Sequence, residues 1–352
     1  MTQVAVSGVA GLDPEFLSRA LAARLDGARV ISVRATAVGT GQVSDSFRLR
    51  LGYDSPAALP GTLVAKVPAA DPASRSAARA FRTYELEASF YGQLAPDLPV
   101  ALPACYFASY DPEPDEYVVL LEDLAPASPG DQIAGITADQ AALAIDELAA
   151  LHAAGWDSQQ LAGLPWLNRS SPASAALMTS AVASLYPAFR DRYAQRLRPE
   201  TLPLIENFVA KTAAYLEARD GPRTIVHGDF RADNLLFGHN GPVVLDWQTC
   251  SFGAGISDLS YFLASSLQVP DRQRHEQDLV RRYHSGLASK GVAVSWAYCW
   301  NEYRRYAFGG IVMDIIAAMV VRQTERGDEM FCAMADRHAR HAIDLDSLAL
   351  LP

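Results

Sequence analysis

The chain has 352 residues, more than one hydrophobic core ordinarily holds, so two lobes are expected. Half of the residues are hydrophobic and 20% are charged, the balance of a globular protein rather than a disordered or fibrous one. The net charge of −10 is spread evenly: residues 1–123 carry 10 basic and 15 acidic side chains, so no basic domain stands out, and neither nucleic acid nor an anionic membrane is expected as a partner.

Cys105, Cys250, Cys299 and Cys332 are far apart in sequence and form no CxxC pair. This spacing predicts neither a zinc site nor a disulfide framework. The first residues, MTQVAVSGVAGLDPEF, lack the basic stretch of a secretory leader. No apolar run approaches the ~18 residues of a spanning helix. The expectation is therefore a cytoplasmic protein. Basic charge comes almost wholly from Arg: there are 27 Arg and three Lys, Lys66, Lys211 and Lys290. Each lysine is correspondingly informative.

Residues 13–26 are predicted as a short helix, with Asp13 as cap and Pro14 at its first position. VISVRATAV from Val30 and SFRLRLGY from Ser46 read as strands. Between them lies a small polar tip containing Gly39, Gly41 and Ser44. It is either an ordinary hairpin turn or a cover whose amides and hydroxyls bind phosphates. A GxxxxGK[ST] loop is absent. Thr62–Pro68 is a further strand with Lys66 inside its apolar run. That lysine either snorkels to the edge or has a buried partner. Residues 73–94 are predicted as one helix, with Phe81, Tyr84, Ala88 and Tyr91 on its inward face. Glu87 shares that face and needs a cation, for which Lys66 is the candidate. Glu85 points away.

Strands at 106–110 and 117–121 complete a five-stranded lobe, residues 1–124. APASPGDQIAG marks the boundary, and residues 125–352 are predicted to be mostly helical. Helices are expected at 137–155, 176–195, 201–218, 271–290, 295–324 and 328–349, the first opened by a capping signal at Thr137. A further helix follows Gly255, capped by Ser257 or Asp258. His152 is expected to be a packed, structural histidine.

The most informative stretch is 225–248, IVHGDFRADNLLFGHNGPVVLDWQ. Two apolar arms around Gly238–Pro242 predict a β-hairpin. Asp229 and Asn234 precede its first arm, and Asp246 closes the second. Each alone is a turn or surface residue. Together they form a set of hard oxygen donors suited to Mg²⁺.

The parts occur in the order Gly-rich hairpin, strand lysine, helix glutamate, Asp229, Asn234, Asp246. This is the order in kinase-type phosphoryl transfer, where the catalytic Asp also precedes its Asn by five. In that scheme Asp246 and Asn234 hold Mg²⁺, Lys66 contacts the phosphates of ATP and is held by Glu87, and Asp229 accepts the proton of the attacking hydroxyl.

His227-Gly-Asp229-Phe-Arg-Ala-Asp-Asn234 with Leu245-Asp246-Trp247-Gln248 resembles the aminoglycoside phosphotransferase / choline kinase superfamily. Within it the chain is most similar to the ecdysteroid kinase-like group, through Leu121-Glu-Asp-Leu124, Gly130-Asp-Gln132, Leu148–His152 and Asp258-Leu-Ser-Tyr-Phe262. The resemblance implies an α+β, bilobal protein-kinase-like fold with a small antiparallel-sheet N-lobe, a larger helical C-lobe and ATP between them. It implies a hinge at Glu122–Leu124 that holds adenine, support of the catalytic loop by Asp258, and orientation of Asp229 by His227. The activity implied is ATP-dependent O-phosphorylation of a small alcohol such as an aminoglycoside, a choline, a sugar or a steroid-like alcohol. The alternatives are a kinase-like module that binds without turnover and a metal-dependent hydrolase using Asp229 and Asp246.

Several features depart from protein kinases. Ser44 stands where a third Gly would, HRD is HGD, Asp246 is followed by Trp-Gln, and no APE element follows. A cationic acceptor needs carboxylates or an aromatic cage. Trp296, Tyr298, Trp300, Glu302, Tyr303 and Asp314 either supply one or pack as core. The loop 156–175, with Trp156 and Trp166, could equally enclose an apolar alcohol.

Overall fold

Alternating or continuous apolar, β-branched runs from Val30 onward yield five antiparallel strands. They are β1 (Val30–Ala37), β2 (Ser44–Tyr53), β3 (Thr62–Pro68), β4 (Cys105–Asp111) and β5 (Glu116–Glu122), in the spatial order β1-β2-β3-β5-β4. The structure is a computed structural model describing residues 5–39, 43–217, 220–239 and 241–352. It divides into two compact units. The first comprises residues 1–98, 102–126 and 246–249; the second comprises 99–101, 127–245 and 250–352.

In the first unit the two-residue period of the strands assigns opposite faces to neighbouring residues. Leu63, Ala65, Val67, Val118 and Leu120 face helix α1 (Pro14–Ala20), whose Phe16 and Leu17 are buried against them. Asp13 accepts from Phe16 N at 2.7 Å and Pro14 occupies the first position, as the sequence predicts. Lys66 pairs in register with Val119 and shares its face, the one opposite α1.

The helix predicted over 73–94 is not continuous. It is α2 (Pro72–Phe81) and α3 (Thr83–Ser89), separated by Arg82 in a left-handed conformation, φ +60°. The break turns the inward face, so Phe81 is 41% exposed while Tyr84, Ala88 and Tyr91 are buried. Arg82 also holds Glu85 through two hydrogen bonds at 2.7 and 2.6 Å.

The second unit opens with the two-residue strand β6 (Ser128–Pro129) and α4 (Ala138–Gly155), where Thr137 and Gln140 form a capping box. Then come α5 (Gln159–Ala162), α6 (Pro172–Tyr193), α7 (Thr201–Val209) and α8 (Thr212–Leu216). Strand β7 (Thr224–Val226) leads to the hairpin β8 (Leu235–Gly238) and β9 (Gly241–Val244), and β10 (Ser251–Gly253) returns against β7. Asn240 of the predicted turn lies outside the described residues. The chain ends in α9 (Ile256–Ser266), α10 (Val269–Ser289), α11 (Trp296–Arg305), α12 (Gly309–Val320) and α13 (Glu325–Asp344).

Two predicted helices of this unit are split as well. The segment 201–218 becomes α7 and α8. The segment 295–324 becomes α11 and α12, with a 3₁₀ turn at Tyr306–Phe308 ahead of Gly309-Gly310. The apolar side chains of α6, α7, α12, α13 and the 3₁₀ turn form one core, including Tyr186, Phe189, Phe208, Phe308, Ile311, Ile315 and Phe331. No helix among the described residues is long and apolar enough to cross a membrane.

Candidate active site

The sheet unit gathers a buried polar cluster around Glu87. This carboxylate is fully buried on α3, and a charge so placed requires partners. Lys66 Nζ donates to its Oε1 at 2.5 Å and to Asp246 Oδ1 at 3.0 Å. Glu87 Oε2 accepts from the Tyr117 hydroxyl and from Gln248 Nε2 at 3.0 Å. Burial raises the Glu87 carboxyl and Lys66 opposes it. Burial by itself lowers the Lys66 ammonium, but Asp246 and Glu87 outweigh it and hold it above its ordinary value. The lysine in the apolar strand is therefore partnered rather than snorkelling.

Asp246 belongs to this unit and has φ +65°, a left-handed conformation that Asp adopts more readily than most residues. Next to it, Trp247 is fully buried and stacks on Phe90, with centroids 3.7 Å apart and 6° between planes. Gln248 Nε2 also donates to Ser44 Oγ at 2.9 Å. The hydroxyl of Ser44 thus meets a side chain of the Glu87 cluster, at the buried start of β2. Gly39 has φ +74°, and Gly41 lies outside the described residues. At the predicted hinge, Glu122 N donates to Ala104 O at 2.8 Å and its carboxylate accepts from Ala104 N at 3.2 Å. Leu124 is half-buried.

In the helical unit, β7 delivers His227-Gly228-Asp229. Gly228 has φ +82°, which favours glycine here over a side chain such as the Arg of HRD. Asp258 of α9 accepts from His227 N at 2.6 Å and Gly228 N at 2.9 Å. Neither Ser257 nor Asp258 caps α9: Gly255 stands at the cap, and Ser257 Oγ donates to Ala254 O. The Asp258 carboxylate is spent on the loop instead. His152 is fully buried, with Nδ1 2.7 Å from Tyr283 Oη and Nε2 3.4 Å from Asp258. His227 Nδ1 accepts from Asp229 N at 3.2 Å, so Nε2 carries the proton donated to Leu245 O at 2.8 Å.

The Asp229 carboxylate is held by three side chains. Tyr261 Oη donates to Oδ1 at 2.7 Å and Asn234 Nδ2 to Oδ2 at 2.9 Å. Arg231 Nε lies 3.1 and 3.0 Å from the two oxygens. Arg231 Nη1 reaches Asp233 at 2.9 Å. Burial lowers the Arg231 guanidinium, but Asp229, Tyr261 and Asp233 more than offset it. Sequence reading missed Arg231 and Tyr261. A signal existed for the first, an Arg two residues from each of two carboxylates; the second is 32 positions from Asp229. It also missed Tyr117 and Gln248.

The donor chemistry fits Mg²⁺. Asn234 commits its amide nitrogen to Asp229, so its carbonyl oxygen is the atom it could offer a metal. Asp246 offers a carboxylate. Among the described residues no three His, Cys, Asp or Glu side chains gather into a preformed cage. Mg²⁺ bound through one or two protein oxygens plus substrate phosphates needs none.

The suggested acceptor residues divide. Trp296, Trp300 and Tyr303 stack in a row along α11, and Arg281 covers the Trp296 ring at 4.3 Å. The Trp296 ring is thus already covered by a cation of the protein itself. Asp314 is fully buried against His338, so it is not presented to a ligand.

Solved structures with the same fold include choline kinase from Cryptosporidium parvum, 10% identical with a TM-score of 0.55, covering 90% of each chain. A protein of Ralstonia eutropha classed as an aminoglycoside phosphotransferase is 15% identical with a TM-score of 0.53, covering 94% of this chain and 98% of its own. Macrolide 2′-phosphotransferase from Brachybacterium faecium is 17% identical with a TM-score of 0.50, covering 91% and 96%. The fold is thus α+β and kinase-like, with a small antiparallel sheet and a larger helical part, as the sequence predicts. Among curated proteins, none matches the chain in sequence. The model of the ecdysteroid kinase-like family matches residues 39–293, and the chain belongs to that family.

Proposed function

We propose that the protein is an ATP-dependent small-molecule O-phosphotransferase. The hydroxyl oxygen of a small alcohol attacks the γ-phosphorus and a new O–P bond forms. The bond to the β,γ-bridging oxygen breaks, and its electron pair leaves with ADP. The hydroxyl proton passes to Asp229. The observation that carries this reading is the held Asp229 carboxylate, fixed by Asn234, Arg231 and Tyr261 on a loop tied to Asp258.

Residues 1–124 are assigned to nucleotide binding. Lys66, held by Glu87, would contact the phosphates; Gly39, Gly41 and Ser44 would cover them, and Glu122–Leu124 would hold adenine. Residues 125–352 are assigned to catalysis and acceptor binding. Asn234 and Asp246 would hold Mg²⁺, which neutralises phosphate charge when bound. His227 and Asp258 support the loop.

The test is ATP consumption and phosphorylated product across an alcohol panel of aminoglycosides, cholines, sugars and sterols. Wild type should transfer phosphate to at least one class, and chelation of Mg²⁺ should stop it. Asp229→Ala should lower kcat by about 10²–10⁴-fold, the usual contribution of a positioned base. An unimpaired Asp229→Ala protein would sink the assignment of the base. ATP binding with no transfer to any alcohol would instead identify a nucleotide-holding module. Phosphate release without ATP would point to a hydrolase.

A further inference from the structure

Behind Tyr261 lies a polar pair that the proposed chemistry leaves unused. The Tyr261 ring packs on the imidazole of His338 from α13, with centroids 5.4 Å apart and 26° between planes. His338 Nδ1 is 2.8 Å from Asp314 Oδ2 of α12, and both residues are fully buried. Asp314 Oδ1 and His338 Nε2 have no hydrogen-bond partner among the described residues.

Orphaned polar atoms at such depth are costly, and apolar side chains of the same shape would fill the space more cheaply. Their neighbours Ile311, Ile315 and Ala335 are apolar and buried. The ring is also wedged. A Cβ on Gly310 would lie 2.1, 2.2 and 2.4 Å from three His338 ring atoms, so glycine alone admits the imidazole there. A costly and rigidly seated pair thus backs the tyrosine whose hydroxyl reaches Asp229, at 2.7 Å.

We propose that Asp314 and His338 are positioning residues that seat the Tyr261 ring, so that its hydroxyl holds Oδ1 of Asp229 in the orientation the acceptor hydroxyl meets. The proposal rests on the reading of Asp229 as proton acceptor. Its structural half stands independently: Tyr261 should sense changes at both Asp229 and Asp314.

The experiment has two readouts. In the first, 3-fluorotyrosine is incorporated at position 261 and its ¹⁹F resonance is recorded in the full chain. Asp229→Asn and Asp314→Asn should each move that resonance. In the second, the alcohol that wild type phosphorylates fastest in the panel is used for kinetics. Tyr261→Phe keeps the ring and its stack and removes only the hydroxyl. It and Asp314→Asn should each lower kcat by roughly tenfold, the effect of one hydrogen bond made to a reacting group, with KM for ATP within about twofold of wild type. A resonance indifferent to Asp314→Asn, or an unchanged kcat in Tyr261→Phe, would overturn the proposal. If no alcohol is phosphorylated, the phosphotransfer reading fails by itself and the ¹⁹F response alone decides the positioning.

Discussion

Replacing Lys66 with Met tests the electrostatic centre of the sheet unit. The substitution keeps the apolar stem on β3 and deletes the ammonium that lies 2.5 Å from a fully buried carboxylate. Breaking a buried pair on one side ordinarily costs about 3–5 kcal/mol. Tyr117 and Gln248 still donate to Glu87 in the variant, so the cost should fall near the lower limit, about 3 kcal/mol. Glu87 can escape the charged state by taking a proton, and this fixes the pH dependence. Its folded pKa in the variant lies further above the ordinary 4.5, so stability is retained at low pH and lost as pH rises. The linkage therefore predicts a cost that is smaller at pH 5 and rises towards that limit by pH 7. Native-state hydrogen exchange at Val64–Val67 and Val118–Leu121 reports the opening of this unit directly. The double variant Lys66→Met/Glu87→Gln should recover most of the stability at pH 7 without recovering phosphotransfer. A Lys66→Met cost that is the same at pH 5 and pH 7, or below about 1 kcal/mol at pH 7, would refute the account of Glu87 as a carboxylate that depends on Lys66.

Asp258→Asn replaces one of two acceptor oxygens by a donor facing the loop, so the amides of His227 and Gly228 should exchange about 30–100-fold faster, as befits loss of a charge-assisted hydrogen bond. Unchanged protection at both amides would show that the loop is held by other means. Trp247→Leu removes a fully buried indole stacked on Phe90 and should cost about 3 kcal/mol, read as a lower urea midpoint; a midpoint equal to wild type would show that the stack contributes nothing.

The five strands were legible as alternating or β-branched apolar runs, and α1 and α4 because Asp13-Pro14 and Thr137/Gln140 are local capping signals. The break at Arg82 was not legible. A left-handed arginine carries no sequence mark, and periodicity alone ran the helix straight through to place Phe81 inside. The same holds for 295–324, where a single helical pattern hides the turn that precedes Gly309-Gly310. That turn brings Gly310 against His338, a contact between residues 28 positions apart. The Lys66–Glu87 pair was readable from chemistry, since a lone strand lysine and an inward-facing glutamate each require a partner.

By itself the sequence determined the order of the functional parts, the five-residue spacing of Asp229 and Asn234, and the alternation that puts Lys66 on the opposite face from Ala65 and Val67. These depend on local geometry, which a few neighbouring residues fix. Only the tertiary structure decided that Tyr261 meets an Asp229 oxygen, why Asp258 serves a loop rather than its own helix, and that Asp314 is sealed against His338 instead of facing a ligand. Such contacts join residues 24 to 32 positions apart, and their partners are set by how helices pack, a property no local pattern encodes.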